Sequence, residues 1–116
     1  MTFTERVEGN VVILRPHGRL TVETFGLLKS RVRALVTKGY RQLVMNLGDV
    51  SYVDSVGIAE IVRAHVILKT DGGRLTLTNL PPAVDELLSL TQLHTVILSA
   101  ATEAHAIRMS TEQEGT

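Results

Sequence analysis

A polar pair marks the point where an extended segment becomes helical. In SYVDSVGIAEIV (residues 51–62), Asp54 and Ser55 precede Gly57. Either side chain can serve as N-cap, which is worth about 1 kcal/mol. Gly57 in a first helical turn costs roughly 0.5 to 1 kcal/mol relative to alanine, so something else must favour it. We expect either a close approach by a neighbouring backbone or a need to leave the Ser55 hydroxyl uncovered. Capping alone would explain one polar residue, but it does not explain Asp54, Ser55 and Gly57 together.

Ser55 could also be a catalytic nucleophile, since strand, tight turn, serine and helix describe the nucleophile elbow of hydrolases. That elbow needs a small residue two positions before the serine, where this chain has Val53. Four histidines are available as bases, and no spacing pairs one with Ser55: His17, His65, His94 and His105. Glycine-rich phosphate loops and His-Glu-x-x-His spacing are also missing from the sequence. We therefore predict a protein that is not an enzyme, with no catalytic residue, metal site or cofactor.

Composition narrows the classes of partner. Of 116 residues, 44% are apolar and 21% charged, as in a globular domain, and twelve basic side chains balance twelve acidic ones. Without a basic stripe, and with only four aromatic residues, we expect no nucleic acid partner. The absence of cysteine removes disulfides, thiolate catalysis and most structural zinc sites. A charged N-terminus and the lack of an apolar run near 20 residues predict a cytoplasmic protein with no membrane partner. The sequence does not indicate the oligomeric state.

The first half of the chain predicts a β-hairpin followed by a helix. The residues before Gly9-Asn10 alternate as in a strand, and an apolar run follows this turn. The two segments predict the strands of the hairpin, and Gly18 should close the second strand. Thr21 is a reasonable N-cap for an amphipathic helix over residues 22–38. Its apolar positions recur at helical spacing: Phe25, Leu28, Val32, Leu35 and Val36.

The second half predicts strands and helices in alternation. Residues 41–47 read as a central strand buried on both faces, 52–53 as a short extended stretch and 55–70 as a helix ended by Asp71-Gly72-Gly73. A strand over 74–80, a helix after Pro81-Pro82 and an edge strand over 96–98 follow. Ser99 should cap a last helix in which three residues share a face: Ala101, Ala104 and Ile107. We expect one α/β domain over 1–116, with a mixed sheet of four to five strands, about four helices and a frayed tail from about residue 110.

The helix over 55–70 should present two different faces. At 100° per residue, the sheet-facing side contains Ile58, Ile61, Val62, His65 and Leu68. His65 then reads as a hydrogen-bonded core histidine. Four residues fall on the opposite side, which we expect to be exposed to a partner: Val56, Glu60, Arg63 and Ile67.

The stretch NLGDVSYVDSVGIAEIV (residues 46–62) resembles the signature of the STAS domain, the fold of bacterial anti-sigma-factor antagonists. That signature is an apolar strand, a short loop and Asp-Ser-x-Gly opening a helix, here Asp54-Ser55-Val56-Gly57. VVILRPHGRL also resembles the second strand of the family, DGGRLTLTNL the strand after the motif helix, and LLSLTQLHTVI the following helix and loop. The resemblance therefore extends over most of the chain.

The resemblance implies a STAS-type fold in which Ser55 is the phosphoacceptor of a partner anti-sigma factor that is also a serine kinase. Only the unphosphorylated form would bind that partner and free the sigma factor for transcription. The phosphate would add a charge of about −1.5 to −2, so burial against a partner without a matching cation would cost several kcal/mol. We expect partner contacts from the motif helix and from the turn after the hairpin: Asp54, Ser55, Val56, Gly57, Glu60, Arg63, Arg19, Thr21 and Thr24.

A second possibility keeps the fold without the switch. STAS domains also serve as constitutive interaction modules, in stress-sensing assemblies and as small subunits of lipid transport systems. Thr21, Asn46 and Val56 stand where many antagonists have aspartate, aspartate and a second serine. The differences at Thr21 and Val56 are compatible with that role, and phosphate acceptance by Ser55 distinguishes the two.

Overall fold

Along residues 1–114, strands and helices alternate after an opening hairpin. The computed structural model describes the backbone of these residues and the side chains of residues 1–111. The strands are β1 (Thr2–Glu8), β2 (Val11–Leu20), β3 (Gln42–Asn46), β4 (Val50–Val53), β5 (Arg74–Thr78) and β6 (Leu98–Ala100). The helices are α1 (Leu27–Thr37), α2 (Ser55–Thr70), α3 (Pro82–Leu90) and α4 (Glu103–Glu114). The predicted α/β class, hairpin and mixed sheet are confirmed.

The sheet has the order β1-β2-β3-β5-β6, with β1 antiparallel to β2 and the remaining pairs parallel. Strand β2 changes partner along its length. Val11 to Leu14 pair with β3, whereas Gly18 to Leu20 pair with β4 after a register shift between Gly18 and Arg19. The prediction that Gly18 ends this strand is therefore wrong: β2 continues to Leu20, and the extra residue at the irregularity is Ser51 of β4.

The two faces of the sheet have separate cores. Leu43 and Met45 of β3 join the large apolar cluster beneath α1, α2 and α3. Because side chains alternate along a strand, Val44 points the other way, where it packs with Ala106 of α4. The sheet is thus covered on both sides, as expected for parallel strands.

Helix α1 begins later than predicted. Thr21 does act as an N-cap, but it caps a 3-10 turn over Val22–Thr24 rather than the start of a long helix. Gly26 then adopts a φ of 91°, a left-handed conformation that interrupts the helix and suits glycine. Phe25, assigned by periodicity to the buried face, is instead 64% exposed.

The last strand and helix also begin later than predicted. Strand β6 covers Leu98–Ala100 rather than residues 96–98, so Ser99 lies within the strand and does not cap α4. The hydroxyl of Thr102 accepts a hydrogen bond from the His105 backbone N–H at 3.1 Å. The threonine, which can cap as serine does, takes the role predicted for Ser99.

The buried side of α4 differs from the predicted one. Ala106 and Ser110 are fully buried and Ile107 is half-buried, whereas Ala101 and Ala104 are exposed. Helix α4 contacts β3 and β5 and buries two small side chains, Ala106 and Ser110.

Part of the tail predicted to be frayed, from about residue 110, lies in helix α4. Helix α4 continues to Glu114 and buries Ser110. Residues 115 and 116 lie outside the described part of the chain. No helix in the described chain has the length and apolar character that would be needed to cross a membrane.

Candidate functional site

Asp54 fixes the start of α2, which spans Ser55–Thr70 as predicted. One carboxylate oxygen accepts a hydrogen bond from the Gly57 N–H at 2.9 Å, and the other accepts one from the Val22 N–H at 3.1 Å. The bond from Gly57, followed by that from Val22, holds the pKa of Asp54 below its ordinary value because both favour the charged form. A single side chain thus caps the helix and ties the 3-10 turn to it.

Ser55 is the first residue of α2 and is exposed. Since Asp54 supplies the cap, the Ser55 hydroxyl forms no hydrogen bond with any residue in the described part of the chain. The alternative that Ser55 itself caps the helix is therefore excluded. Its hydroxyl is free to react with a group that approaches from solvent.

Gly57 is required by a close approach of backbone. A Cβ at this position would overlap the carbonyl oxygen of Leu20 and lie 2.7 Å from its carbonyl carbon. Leu20 is the last residue of β2, and its carbonyl also accepts a hydrogen bond from the Asp54 N–H at 3.1 Å. The first of the two expectations for this glycine is thus met: it lets the end of β2 pack directly against the first turn of α2.

The predicted exposure of Glu60 is wrong. This carboxylate is only 2% exposed and accepts hydrogen bonds from the backbone N–H groups of Gly26 at 2.8 Å and Lys29 at 3.3 Å. It therefore satisfies free N–H groups at the start of α1. Ile67, placed on the same exposed side by periodicity, is also buried. The reason is that α2 packs against α1 as well as the sheet, which widens its buried arc.

His65 is half-buried, and the prediction of a hydrogen-bonded core histidine is wrong. Its imidazole forms no hydrogen bond with the residues that the structure describes. Burial, followed by the charge of Lys69, lowers the pKa of His65. The ring therefore stays neutral to a lower pH than a solvated histidine.

Exposed apolar side chains lie on the 3-10 turn and on β4, the segments that adjoin the start of α2, and sequence periodicity missed them. Val22 and Phe25 are each 64% exposed, and Tyr52 is 52% exposed. The guanidinium of Arg19 lies 4.8 Å from the Tyr52 ring centre, within cation–π range. Gly26 was the available signal that residues 22–25 do not form one helix with α1. We call the surface formed by Arg19, Val22, Phe25, Tyr52 and Ser55 the Ser55 face.

Some of the other residues predicted to contact a partner are accessible on the surface, and others stabilise the turn after β2. Arg63 is exposed and Val56 half-buried on α2. Thr21 is buried, and its hydroxyl accepts a hydrogen bond from the Glu23 N–H. Half-buried Thr24 donates its hydroxyl to the Arg19 carbonyl at 2.9 Å. The two threonines therefore shape the turn, and the buried Thr21 side chain is not available for the predicted contact with a partner.

Within the described chain, no cluster of three His, Asp or Glu residues could hold a metal ion.

Comparison with known proteins identifies the family. The STAS domain model matches residues 3–106. A candidate anti-sigma factor antagonist from Thermotoga maritima is 31% identical over 96 residues, which is 82% of this chain and 85% of that protein. The anti-sigma-B factor antagonist of Bacillus subtilis is 33% identical over 87 residues, covering 74% and 79% of the two chains.

Structural comparison agrees with the sequence comparison. A crystal structure of a candidate anti-sigma factor antagonist from Thermotoga maritima superposes with a TM-score of 0.81 at 26% identity and covers 93% of each chain. The fold, the helix-opening serine and the family model thus lead to one assignment. The chain belongs to the STAS domain family and is similar to its bacterial anti-sigma factor antagonists.

Proposed function

We propose that this protein is a phosphorylation-controlled anti-sigma factor antagonist that acts by binding in the cytoplasm and has no catalytic role. Its partner is an anti-sigma factor with serine kinase activity. Unphosphorylated Ser55 permits binding and frees the sigma factor, and phosphorylation of Ser55 releases the partner. The observation that carries this proposal is the free, exposed Ser55 hydroxyl beside an N-cap that Asp54 already provides.

The Ser55 face suits a protein partner. Exposed apolar groups of Val22, Phe25 and Tyr52 offer surface whose removal from water favours a complex. Aromatic residues and arginine are the types enriched at binding hot spots, and the Arg19–Tyr52 pair supplies both. We therefore expect Phe25 and Tyr52 to contribute more to affinity than Gly57 or Thr21, which are buried.

A phosphate on Ser55 would affect binding more than folding. At a helix N-terminus an anion is favoured by roughly 0.3 to 1 kcal/mol, while the adjacent Asp54 carboxylate opposes it. Because the group projects into solvent, the fold changes little. A partner seated on Val22 and Phe25 would instead have to bury a dianion at the edge of an apolar contact, which costs several kcal/mol unless a cation matches it.

The test is phosphate transfer from a cognate kinase. The protein is incubated with ATP and each serine kinase of anti-sigma type from the same genome, and intact mass is measured. We expect one phosphoryl group, lost in Ser55→Ala. Ser51→Ala is the matched control because Ser51 is also exposed and lies four residues earlier, in β4.

Binding of the same partner is then measured with Ser55→Glu. We expect this variant to retain the circular dichroism of the parent and to lose at least about tenfold in affinity, which corresponds to about 1.4 kcal/mol. If a kinase-type partner binds but adds no phosphate, the switch is wrong and the protein is a constitutive STAS interaction module. Phosphate on Ser51 in place of Ser55 would also contradict the proposal.

A further inference from the structure

Strand β1 forms one edge of the sheet. It pairs with β2 on one side, and within residues 1–114 no strand pairs with its other side. All of its residues except Phe3 are exposed. A free strand edge presents unpaired backbone N–H and C=O groups, which can pair with a strand of another chain. The outer side of β1 is therefore available for such a strand.

The hairpin turn determines which residues of β1 direct their backbone groups outward. Glu8 pairs with Val11 across the two-residue turn Gly9-Asn10. In a β-turn the carbonyl of the first residue bonds to the N–H of the fourth, so the backbone groups of Glu8 face β2. Because neighbouring residues of an antiparallel strand alternate in this respect, the N–H and C=O groups of Val7 point to the open edge.

The side chains around Val7 make this edge complementary to itself. Val7 is 49% exposed, and Arg6 and Glu8 place opposite charges on either side of it. In an antiparallel pair of β1 strands with a two-fold axis at Val7, Arg6 of each copy lies opposite Glu8 of the other. Val7 lies opposite Val7 of the second copy. Cross-strand pairs of opposite charge and of β-branched side chains both stabilise a sheet.

The neighbouring registers of the same symmetry are unfavourable. A two-fold axis at Glu5, Arg6 or Glu8 would place like charges directly opposite each other. Charged residues on an edge strand deter association in general, so the charges that favour the Val7 register oppose pairing with most other strands. Within one chain Arg6 already contacts Glu8 at 3.0 Å and Glu103 at 2.7 Å, so pairing would extend an existing charge network. The charges thus select the register more than they add affinity.

We propose that the protein associates with a second copy of itself through the outer edge of β1, in a two-fold symmetric dimer with Val7 on the axis. The two sheets become continuous, and the outward backbone groups of Val7 pair with those of Val7 in the second copy. Strand β1 supplies 7 residues from each copy, whereas a standard interface has about 20 to 30 residues on each side. We therefore expect a weak dimer, with a dissociation constant of about 10 µM to 1 mM.

The dimer axis lies far from the Ser55 face. Val7 pairs with Val12 near the start of β2, whereas Leu20 ends that strand and packs against the first turn of α2. An extended strand places Val12 and Leu20 about 26 Å apart. Both Ser55 faces of the dimer therefore stay open, which raises its avidity for a partner with two binding sites. Dimer formation requires no phosphorylation of Ser55, and its test is independent of that switch.

The test is sedimentation velocity of the chain from about 10 µM to about 1 mM, over which the average mass should rise from that of a monomer toward that of a dimer. Glu8→Arg should weaken association by at least about fivefold, because like charges then lie opposite each other. The double variant Arg6→Glu/Glu8→Arg restores opposite charges and should recover association. Glu86→Arg is the matched control, since it makes the same change at an exposed position of α3.

A further variant tests the backbone contact. Val7→Pro removes the outward N–H and leaves the hydrogen bonds between β1 and β2 in place, so circular dichroism should match the parent while the dimer is lost. A Val7→Pro variant that unfolds, or that still dimerises, would contradict the proposed edge. The proposal is also overturned if the parent stays monomeric at about 1 mM, or if Glu8→Arg and Glu86→Arg weaken association equally. A folded double variant that recovers no association would rule out the Val7 register.

Discussion

The face of the sheet beneath α1, α2 and α3 differs from the face beneath α4 in what it buries. The first is filled by aliphatic side chains such as Leu43, Leu75 and Leu77. The second has a small apolar cluster and buried polar side chains, among them Thr76 and Thr78, whose hydroxyl oxygens lack a hydrogen-bond partner in the described part of the chain. Burial of apolar area is the main source of stability, so the first face should hold the fold together.

Besides the packing of Ala106, one carboxylate attaches helix α4 to its face. Glu103 accepts hydrogen bonds from Arg6 at 2.7 Å, from Asn46 at 2.8 Å and from Arg15 at 3.4 Å. The Asn46 bond, followed by that from Arg6, lowers the pKa of Glu103. Helix α2 thus rests mainly on apolar packing, whereas part of the attachment of α4 is ionic, and we expect that part to depend on pH and salt.

The largest expected effect comes from the aliphatic face. Leu43→Ala should reduce the free energy of unfolding by about 2 to 5 kcal/mol, because it removes a buried side chain and leaves a cavity. Urea denaturation measures this change. Leu90→Ala is the control, since Leu90 is 73% exposed and its truncation should cost little. Similar losses in both variants would contradict the assignment of the main core to this face.

Glu60 is the polar exception on the aliphatic side. Glu60→Gln should cost about 1 to 3 kcal/mol, because a charged acceptor for the Gly26 and Lys29 N–H groups is replaced by a neutral one. Amide hydrogen exchange should accelerate at Gly26 and Lys29 more than at Leu68, which lies at the far end of α2. Uniform acceleration would mean that the carboxylate stabilises the whole fold and not the start of α1.

The attachment of α4 should be sensitive to acid. Glu103→Gln should cost about 1 kcal/mol near neutral pH. Because folding lowers the pKa of Glu103, its contribution is complete above the ordinary glutamate pKa of about 4.3 and is lost as the pH falls through the lower folded-state pKa. The difference in unfolding free energy between parent and variant should therefore shrink between neutral pH and about pH 3. A difference that stays constant with pH would show that charge does not hold α4.

The smallest expected change in the free energy of unfolding comes from the unpaired threonine hydroxyls, and it is a gain in stability. Thr76→Val replaces a fully buried, unpartnered hydroxyl by a methyl group of similar shape. The variant should match the parent or exceed it by up to about 1 kcal/mol, because the cost of burying an unsatisfied polar atom is removed. Thermal unfolding of Thr76→Val beside Thr76→Ser separates this gain from a change in packing. A clear loss in Thr76→Val would indicate that the hydroxyl is paired in solution.

Local signals explain the elements that the sequence predicts well. Helix α2 has an acidic N-cap at Asp54 and ends in Asp71-Gly72-Gly73, so both boundaries are encoded within a few residues. The N-terminal hairpin is similarly encoded by its Gly9-Asn10 turn. The Ser55 position is predicted for the same reason, since it depends only on where α2 begins.

The wrong predictions of burial concern residues whose exposure depends on segments far away in the sequence. Glu60 is a charged residue on a helix side that periodicity assigns to solvent, and its partners are backbone N–H groups 31 and 34 residues away. Phe25 has the correct spacing for a buried helix face, but Gly26 ends the turn before α1 begins. Neither outcome follows from helical periodicity, because both depend on how α1 docks against α2.

The exchange of partners along β2 has a consequence for how this chain can vary. Residues 11–14 of the strand pair with β3, and residues 18–20 pair with β4, the strand that leads to Ser55. A one-residue insertion between Arg15 and Gly18 would invert the side chains beyond it and separate Arg19 from Tyr52. Lengthening the Gly9-Asn10 turn would leave that geometry untouched, so tolerance to indels should differ sharply between the two ends of one strand.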